Sequence, residues 1–276
     1  MRALLPLLVI LSACGENRTF PTRGQYQGAE PAPLECIPNL DGRIDASELK
    51  EAIGVPVSYV VSPISVQRTV NLGGTVNPQG QRVWDFATDY ADDQKATLEA
   101  SALTGKWYAG SFPSATFTTP LDAAGRTWAA YSHDGTGLYM HGIVSVVEAP
   151  PEGKTLIVYA QPVALYRFPL EVGKTWVTVG NATNAMVRGL PYAGRDTYTI
   201  TVESSGRLEL TDLTFTQALR VKTTVLAEPA VGAPLTRRQT GFLFECFGEV
   251  ARATSRDNET QDDFTVAAEV RRLGLL

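Results

Sequence analysis

From Val57 onward the chain alternates apolar and polar residues in short runs, the period-2 pattern of half-buried strands. Val57-Ser58-Tyr59-Val60-Val61 and Val66 to Leu72 are split by Ser62-Pro63, and Arg82-Val83-Trp84-Asp85-Phe86 alternates again after turns at Gly73-Gly74 and Asn77-Pro78-Gln79-Gly80. Lys106-Trp107-Tyr108-Ala109 and Ala115 to Thr118 read as strand pieces. Gly125 to Tyr131 and Leu138 to Val144 read as a hairpin about Asp134-Gly135-Thr136-Gly137. Further alternating runs follow at Lys154–Tyr159, Ala164–Phe168, Thr197–Val202, Arg207–Leu210, Thr216–Leu226, Thr240–Phe247, Gly248–Ala253 and Phe264–Leu273. Between Thr216 and Leu226, Ala218, Arg220, Lys222 and Thr224 share one face and Leu219, Val221, Thr223 and Val225 the other. Many short alternating strands with turns about every 8–12 residues predict a mainly β, antiparallel domain over residues 57–276, a barrel or a sandwich-like meander, with one or two short helices.

Residues 35–56 break the pattern. Asn39-Leu40-Asp41-Gly42-Arg43-Ile44-Asp45-Ala46-Ser47-Glu48 resembles an EF-hand or dockerin-type calcium loop. The resemblance implies that Asn39, Asp41, Arg43 (through its carbonyl), Asp45 and Glu48 would be Ca2+ ligands, with Gly42 at the sharp turn. The pattern departs at its first position, where Ile37 stands for Asp, so one carboxylate is missing and affinity would be weak or absent. The alternative is a capped helix start over Ala46–Ile53, with Asp45 as N-cap and Glu48 as its capping-box partner, stopped by Gly54-Val55-Pro56.

The N-terminus decides the compartment. Arg2 precedes an apolar run from Ala3 to Ile10, too short to span a bilayer and the right length for a signal-peptide core. Leu11-Ser12-Ala13-Cys14 resembles the lipobox of bacterial lipoproteins. That implies removal of residues 1–13, lipidation of Cys14 and anchorage to the cell envelope; Gly15 rather than Asp after the cysteine implies the outer membrane. An ordinary signal cut near Ala13, with Cys14 a bystander, is the other reading. Residues 14–34, polar and rich in Pro and Gly, read as a flexible tether with a reach of roughly 25 Å. In such an oxidising compartment the two remaining cysteines, Cys36 and Cys246, are expected to pair; two buried free thiols are the alternative.

Phe168-Pro169-Leu170-Glu171-Val172-Gly173-Lys174-Thr175-Trp176, and the later Gly248-Glu249-Val250, are similar to phrases of periplasmic half-open-barrel proteins of the lipoprotein-carrier kind. The resemblance covers residues 125–273 and implies a half-open barrel that holds an apolar ligand or another envelope component. Trp84, Trp107, Trp128 and Trp176 are then candidates to line its cavity, with ordinary core packing the alternative. The net charge of −5 argues against nucleic acid as a partner. Asp85, Asp89, Asp92 and Asp93 read as a solvated acidic loop, with a second cation site the alternative.

Catalytic motifs are absent: no nucleophile elbow, HExxH, Walker A loop or dinucleotide fingerprint occurs. Ser132-His133-Asp134 are consecutive, and neighbours in a strand point to opposite faces, so they cannot form a triad among themselves. No enzyme activity is therefore expected; were there one, His141 with a distant Asp or Glu would be the place to look. The expected role is a lipid-anchored envelope protein whose barrel binds an apolar ligand or an envelope protein. A non-catalytic structural module steadied by a weak calcium site is the alternative.

Overall fold

The computed structural model describes residues 36–274. The expected signal peptide, Cys14 and the expected tether through residue 34 lie outside the described residues, and so does residue 35.

Among the described residues, 16 strands form one sheet. They are β1 (Pro56–Val61), β2 (Arg68–Thr69), β3 (Thr75–Val76), β4 (Arg82–Phe86), β5 (Gln94–Glu99), β6 (Ser101–Ala102), β7 (Phe117–Pro120) and β8 (Thr127–His133). The series continues with β9 (Gly137–Ser145), β10 (Leu156–Arg167), β11 (Thr175–Val187), β12 (Leu190–Leu210), β13 (Thr214–Pro229), β14 (Leu235–Phe244), β15 (Gly248–Ser255) and β16 (Val266–Leu273). The spatial order runs β5-β1-β16-β15 and then back through every strand to β7-β6. Only Ala100 separates β5 from β6, which stand at opposite ends of that order, so the chain itself links the two edges. The result is a nearly closed antiparallel barrel, the arrangement that leaves least unpaired strand edge.

The alternation read from the sequence sets the faces. In β12, Asp196, Tyr198, Ile200 and Val202 are buried and point inward. Across from them, Val221, Thr223, Val225 and Ala227 of β13 point the same way. The outward face of β12 and β13 carries Thr199, Thr201, Lys222 and Thr224.

Two excursions cover other parts of the outer wall. Residues 70–86 lay Leu72, Trp84 and Phe86 against Phe242, Ala251, Phe264 and Val270. The Trp84 ring lies 5.0 Å from that of Phe242, and its Nε1 donates to the Leu72 carbonyl at 3.0 Å. Gly206 permits this approach: a Cβ there would lie 2.6 Å from the Arg82 carbonyl oxygen and 2.9 Å from the Trp84 ring. Residues 103–115 cover β8–β10 with Leu103, Tyr108 and Phe112. The strand expected at Lys106–Ala109 is instead a run of turns leading into a 3-10 turn at Ala109–Ser111. The apolar face of β8–β10 demands this cover, and turning the backbone delivers Tyr108 and Phe112 to it.

The acidic stretch is only partly solvated. Asp93 is buried between Arg68, at 2.9 Å, and Arg272, whose guanidinium also donates to the carbonyls of Phe86 and Thr88. Asp92 also meets Arg68, at 2.6 Å. These carboxylates fasten the segment that follows the first excursion to β16 and β2, a use that alternation alone does not reveal.

The strand directions place the β8–β9, β10–β11, β12–β13 and β14–β15 turns at one end of the barrel. Residues 36–55 plug that end. Ile44 and Leu170 exchange two backbone hydrogen bonds, of 3.0 and 2.8 Å, and both side chains are fully buried with Trp176, Val202 and Leu219. Cys36 is bonded to Cys246 with 5.6 Å between Cα atoms, within the span such bonds require, and the Cys246 amide donates to the Glu48 carbonyl. The helix expected over Ala46–Ile53 is one 3-10 turn, Ala46–Leu49. A single turn returns too little for its nucleation cost, and the chain beyond it is drawn to Ala100, whose carbonyl accepts from the Gly54 amide at 2.8 Å.

Candidate ligand-binding cavity

Above the plug the barrel is hollow. A cavity of about 360 Å³ runs along the inner faces of β8–β10 and β12–β15 toward the unplugged end. Strand alternation builds it: Val221, Thr223, Val225 and Ala227 come from β13, and Leu235, Arg237, Gln239, Gly241 and Leu243 from β14. Across the hollow stand Tyr131 of β8, Met140 and Ile143 of β9, and Leu165 and Tyr166 of β10. The wall is aliphatic, with tyrosines and a few charges set into it.

Apart from Thr223 of β13 and Gln239 and Arg237 of β14, the last paired with Asp257 at 2.7 Å, those polar groups fall into two sets. On β12, the Asp196 carboxylate accepts from the Tyr159 hydroxyl at 2.6 Å, and Tyr159 lies 3.3 Å from the Tyr198 hydroxyl. Gly180, the cross-strand partner of Asp196, makes room: a Cβ there would sit 2.6 Å from the Tyr159 ring. Burial raises Asp196, opposed by the Tyr159 hydrogen bond. Burial also raises Tyr159, Tyr166 and Tyr198, and pushes Tyr131 up to about 12, so these phenols stay protonated and available as donors at neutral pH.

The second set is on β15 and β16. Glu249 and Arg252 both face inward because a register shift falls between Phe242 and Leu243 of the paired β14, so that Glu249 stands opposite Leu243 and Arg252 opposite Gly241. Arg252 Nε is 3.5 Å from a Glu249 oxygen. On β16, Arg271 is directly opposite Arg252, and its Nη2 is 3.6 Å from Glu269. Burial raises Glu249 and Glu269, with Arg252 opposing the rise in both. Tyr59, on β1, donates to the Glu249 carbonyl at 3.0 Å. The Nε atoms of Arg252 and Arg271 are buried without a hydrogen-bond partner.

None of the four tryptophans is among the residues lining this cavity. Trp84 is in the outer core and Trp176, whose Nε1 donates to the Ala164 carbonyl at 2.9 Å, is packed in the plugged half. Trp107 and Trp128 are half-buried on the outer wall, their indoles donating to the carbonyls of Ser145 and Val146 and of Gly125. The aromatic lining is tyrosine, set on inward positions by the strand period. In the sequence its trace is the placing of Asp196, Tyr198 and Ile200 at alternate positions of one strand.

The calcium-like loop turns its polar groups on one another. The Asn39 side chain accepts from the Asp41 amide at 2.9 Å, and Asp41 accepts from the Arg43 amide at 3.1 Å. The Arg43 guanidinium lies 3.2 Å from both Asp41 and Asp45. The Glu48 carboxylate accepts from the Asp45 amide at 2.9 Å, and burial, opposed by that bond, raises Glu48. Among the described residues no three His, Cys, Asp or Glu side chains converge on one point.

Ser132, His133 and Asp134 diverge. Ser132 Oγ lies 2.8 Å from His141 Nε2 across the β8–β9 pair, and burial lowers His141, which favours neutral imidazole. His133 stands 3.5 Å from Glu51 of the plug with its ring against Phe168, and Asp134 caps the hairpin by accepting from the Thr136 and Gly137 amides. No carboxylate hydrogen-bonds His141 among the described residues. No family model, curated protein or solved structure matches the chain.

Proposed function

We propose that the chain is a lipid-anchored bacterial cell-envelope protein, held at the outer membrane through Cys14, whose barrel binds an apolar ligand in its interior. The observation that carries this reading is the cavity of about 360 Å³, inside the range of roughly 300–1,000 Å³ common for small-molecule sites. Its walls combine aliphatic surface with a few protonated phenols and charges, the mixture that holds a ligand body by burial and orients it by hydrogen bonds. The proposed role is binding rather than catalysis, since the Ser132–His141 contact lacks a carboxylate to orient the imidazole.

Native mass spectrometry of the full chain purified from its own envelope tests the reading. A co-purifying apolar molecule is expected, and Val225→Trp, which fills the cavity, should abolish it while the fold is retained. A barrel that carries nothing, and takes up no apolar probe, would overturn the proposal. The anchor is tested separately: Cys14→Ser should move the protein from the membrane fraction to the soluble one.

A further inference from the structure

We infer that the ligand's head is a carboxylate, seated on Arg252 with Arg271 beside it; this rests on reading the cavity as a ligand site. Arg252 is part of the cavity wall and Arg271 is its direct cross-strand neighbour on the same inward face. Like charges placed directly opposite one another repel, so such a pair needs a reason. Glu249 and Glu269 compensate each arginine only at 3.5 and 3.6 Å. Arg271 Nη2 reaches the carbonyl of Leu121, itself a cavity residue, at 3.5 Å.

The unmet hydrogen-bonding capacity has a sign. The Nε–H groups of Arg252 and Arg271 are buried donors with no acceptor, whereas no Glu249 or Glu269 oxygen is a buried acceptor without a donor. A buried unpartnered donor on a charged group is expensive, and an incoming acceptor relieves it. Guanidinium donates in a planar fork that suits a carboxylate, and such charge-assisted bonds are about twice as strong as neutral ones. Burial meanwhile biases Glu249 and Glu269 toward their neutral forms, leaving the arginines as the permanent charges of this wall. The protonated hydroxyls of Tyr131 and Tyr166, in the same cavity, add donors. The apolar side chains of the inner faces of β13 and β14, Val221, Val225, Leu235 and Leu243, interrupted by Thr223, Arg237 and Gln239, then take the apolar tail.

The test compares dodecanoate with methyl dodecanoate on the full chain, following tyrosine and tryptophan fluorescence and calorimetry at neutral pH. The tails are identical and only the charged head differs. Dodecanoate should bind at least about tenfold more tightly, the lower end of what a hydrogen bond to a charged group contributes. Arg252→Met should erase the preference by weakening dodecanoate alone, and Arg252→Lys, which keeps the charge but not the fork, should restore part of it. Glu249→Gln, which removes the competing carboxylate, should tighten dodecanoate and leave the ester unchanged. Equal binding of acid and ester by the unaltered protein would overturn the head assignment while leaving an apolar ligand in place. Failure of both to bind would overturn the assignment together with the reading of the cavity. An unchanged preference in a folded Arg252→Met protein would also sink it.

Discussion

At the plugged end of the barrel, Ile44, Leu170 and Trp176 fill the space enclosed by β11, β12 and β13, with Ile200 and Val202 pressed against them. One and two inward steps farther along β12, Tyr198 and Asp196 face a hollow. The same strands run through both halves. What differs is that one end receives an extra stretch of chain, residues 36–55, and that the other half carries arginine, glutamate and tyrosine on positions that aliphatic residues hold below. Charges cannot be packed dry against hydrocarbon without large cost, so a barrel with such a wall is filled by water or ligand rather than by itself.

The strongest way to break this contrast is to release the plug. The Cys36–Cys246 bond closes a sequence separation of 210 residues. In the chain-entropy account a loop of that length is worth up to about 5 kcal/mol. Cys36→Ser should lower unfolding stability by about 2–5 kcal/mol in denaturant titrations. Reductant should do the same to the unaltered protein and nothing to the variant. A loss below about 1 kcal/mol would mean that packing alone seats the plug.

Paired truncations probe the halves directly. Ile44 is fully buried, so Ile44→Ala should cost about 2–5 kcal/mol through lost contacts and an unfilled space. Leu235 lines the existing hollow near its mouth and is half-buried, so Leu235→Ala should cost under about 1 kcal/mol. Similar costs at both sites would erase the distinction between a filled and a hollow half. The converse pair adds bulk. Val202→Phe has nowhere to go and should cost about 1–3 kcal/mol, whereas Val225→Phe extends into open volume and should stay within about 1 kcal/mol of the parent. Thermal melts of the four proteins, without ligand, check all of these.

How legible these halves are in the sequence depends on the distance over which each is determined. Alternation is local, so the β class, the hairpin about Asp134, and the faces of β13 were readable from residues two apart. The clasp was readable from cysteine usage and the compartment that the lipobox-like stretch led one to expect, because only two thiols remain once Cys14 is set aside. The use of Asp93 was not readable, since its partners Arg68 and Arg272 come together only when β2 pairs with β16. The charged wall was hidden for a similar reason. Glu249 and Arg252 are three apart, which in regular strand would put them on opposite faces; the register shift beside Phe242 brings both inward. Tryptophan drew attention as the largest aromatic, yet each indole N–H needs an acceptor, and the backbone carbonyls that satisfy these four lie in the cores and on the outer wall.

The smallest effect concerns the proton balance of the hollow half, where the sign is informative. Glu249 and Glu269 are raised in the fold, chiefly by burial, so the folded chain holds their protons more tightly than the unfolded chain. Their contribution is therefore most favourable below about pH 4.5, the ordinary carboxylate region, and is lost as pH rises through their raised values. Asp263 runs the other way. Despite partial burial, hydrogen bonds from Lys222 and the charge of Arg220 lower it, so its contribution is present above the ordinary value and lost as pH falls through the lowered one. The double variant Glu249→Gln, Glu269→Gln mimics the protonated wall at every pH. It should match the parent near pH 4 and exceed it by up to about 1 kcal/mol near pH 7, a bound kept low because both side chains retain some solvent contact. Glu48, in the plug, and Asp196, on β12, are raised as well and are untouched by this variant, so whatever slope remains in that direction comes from those two carboxylates. If the double variant is less stable than the parent at pH 7, the two carboxylates neutralise Arg252 and Arg271 in the free protein. Those arginines would then have no charge left for a ligand head.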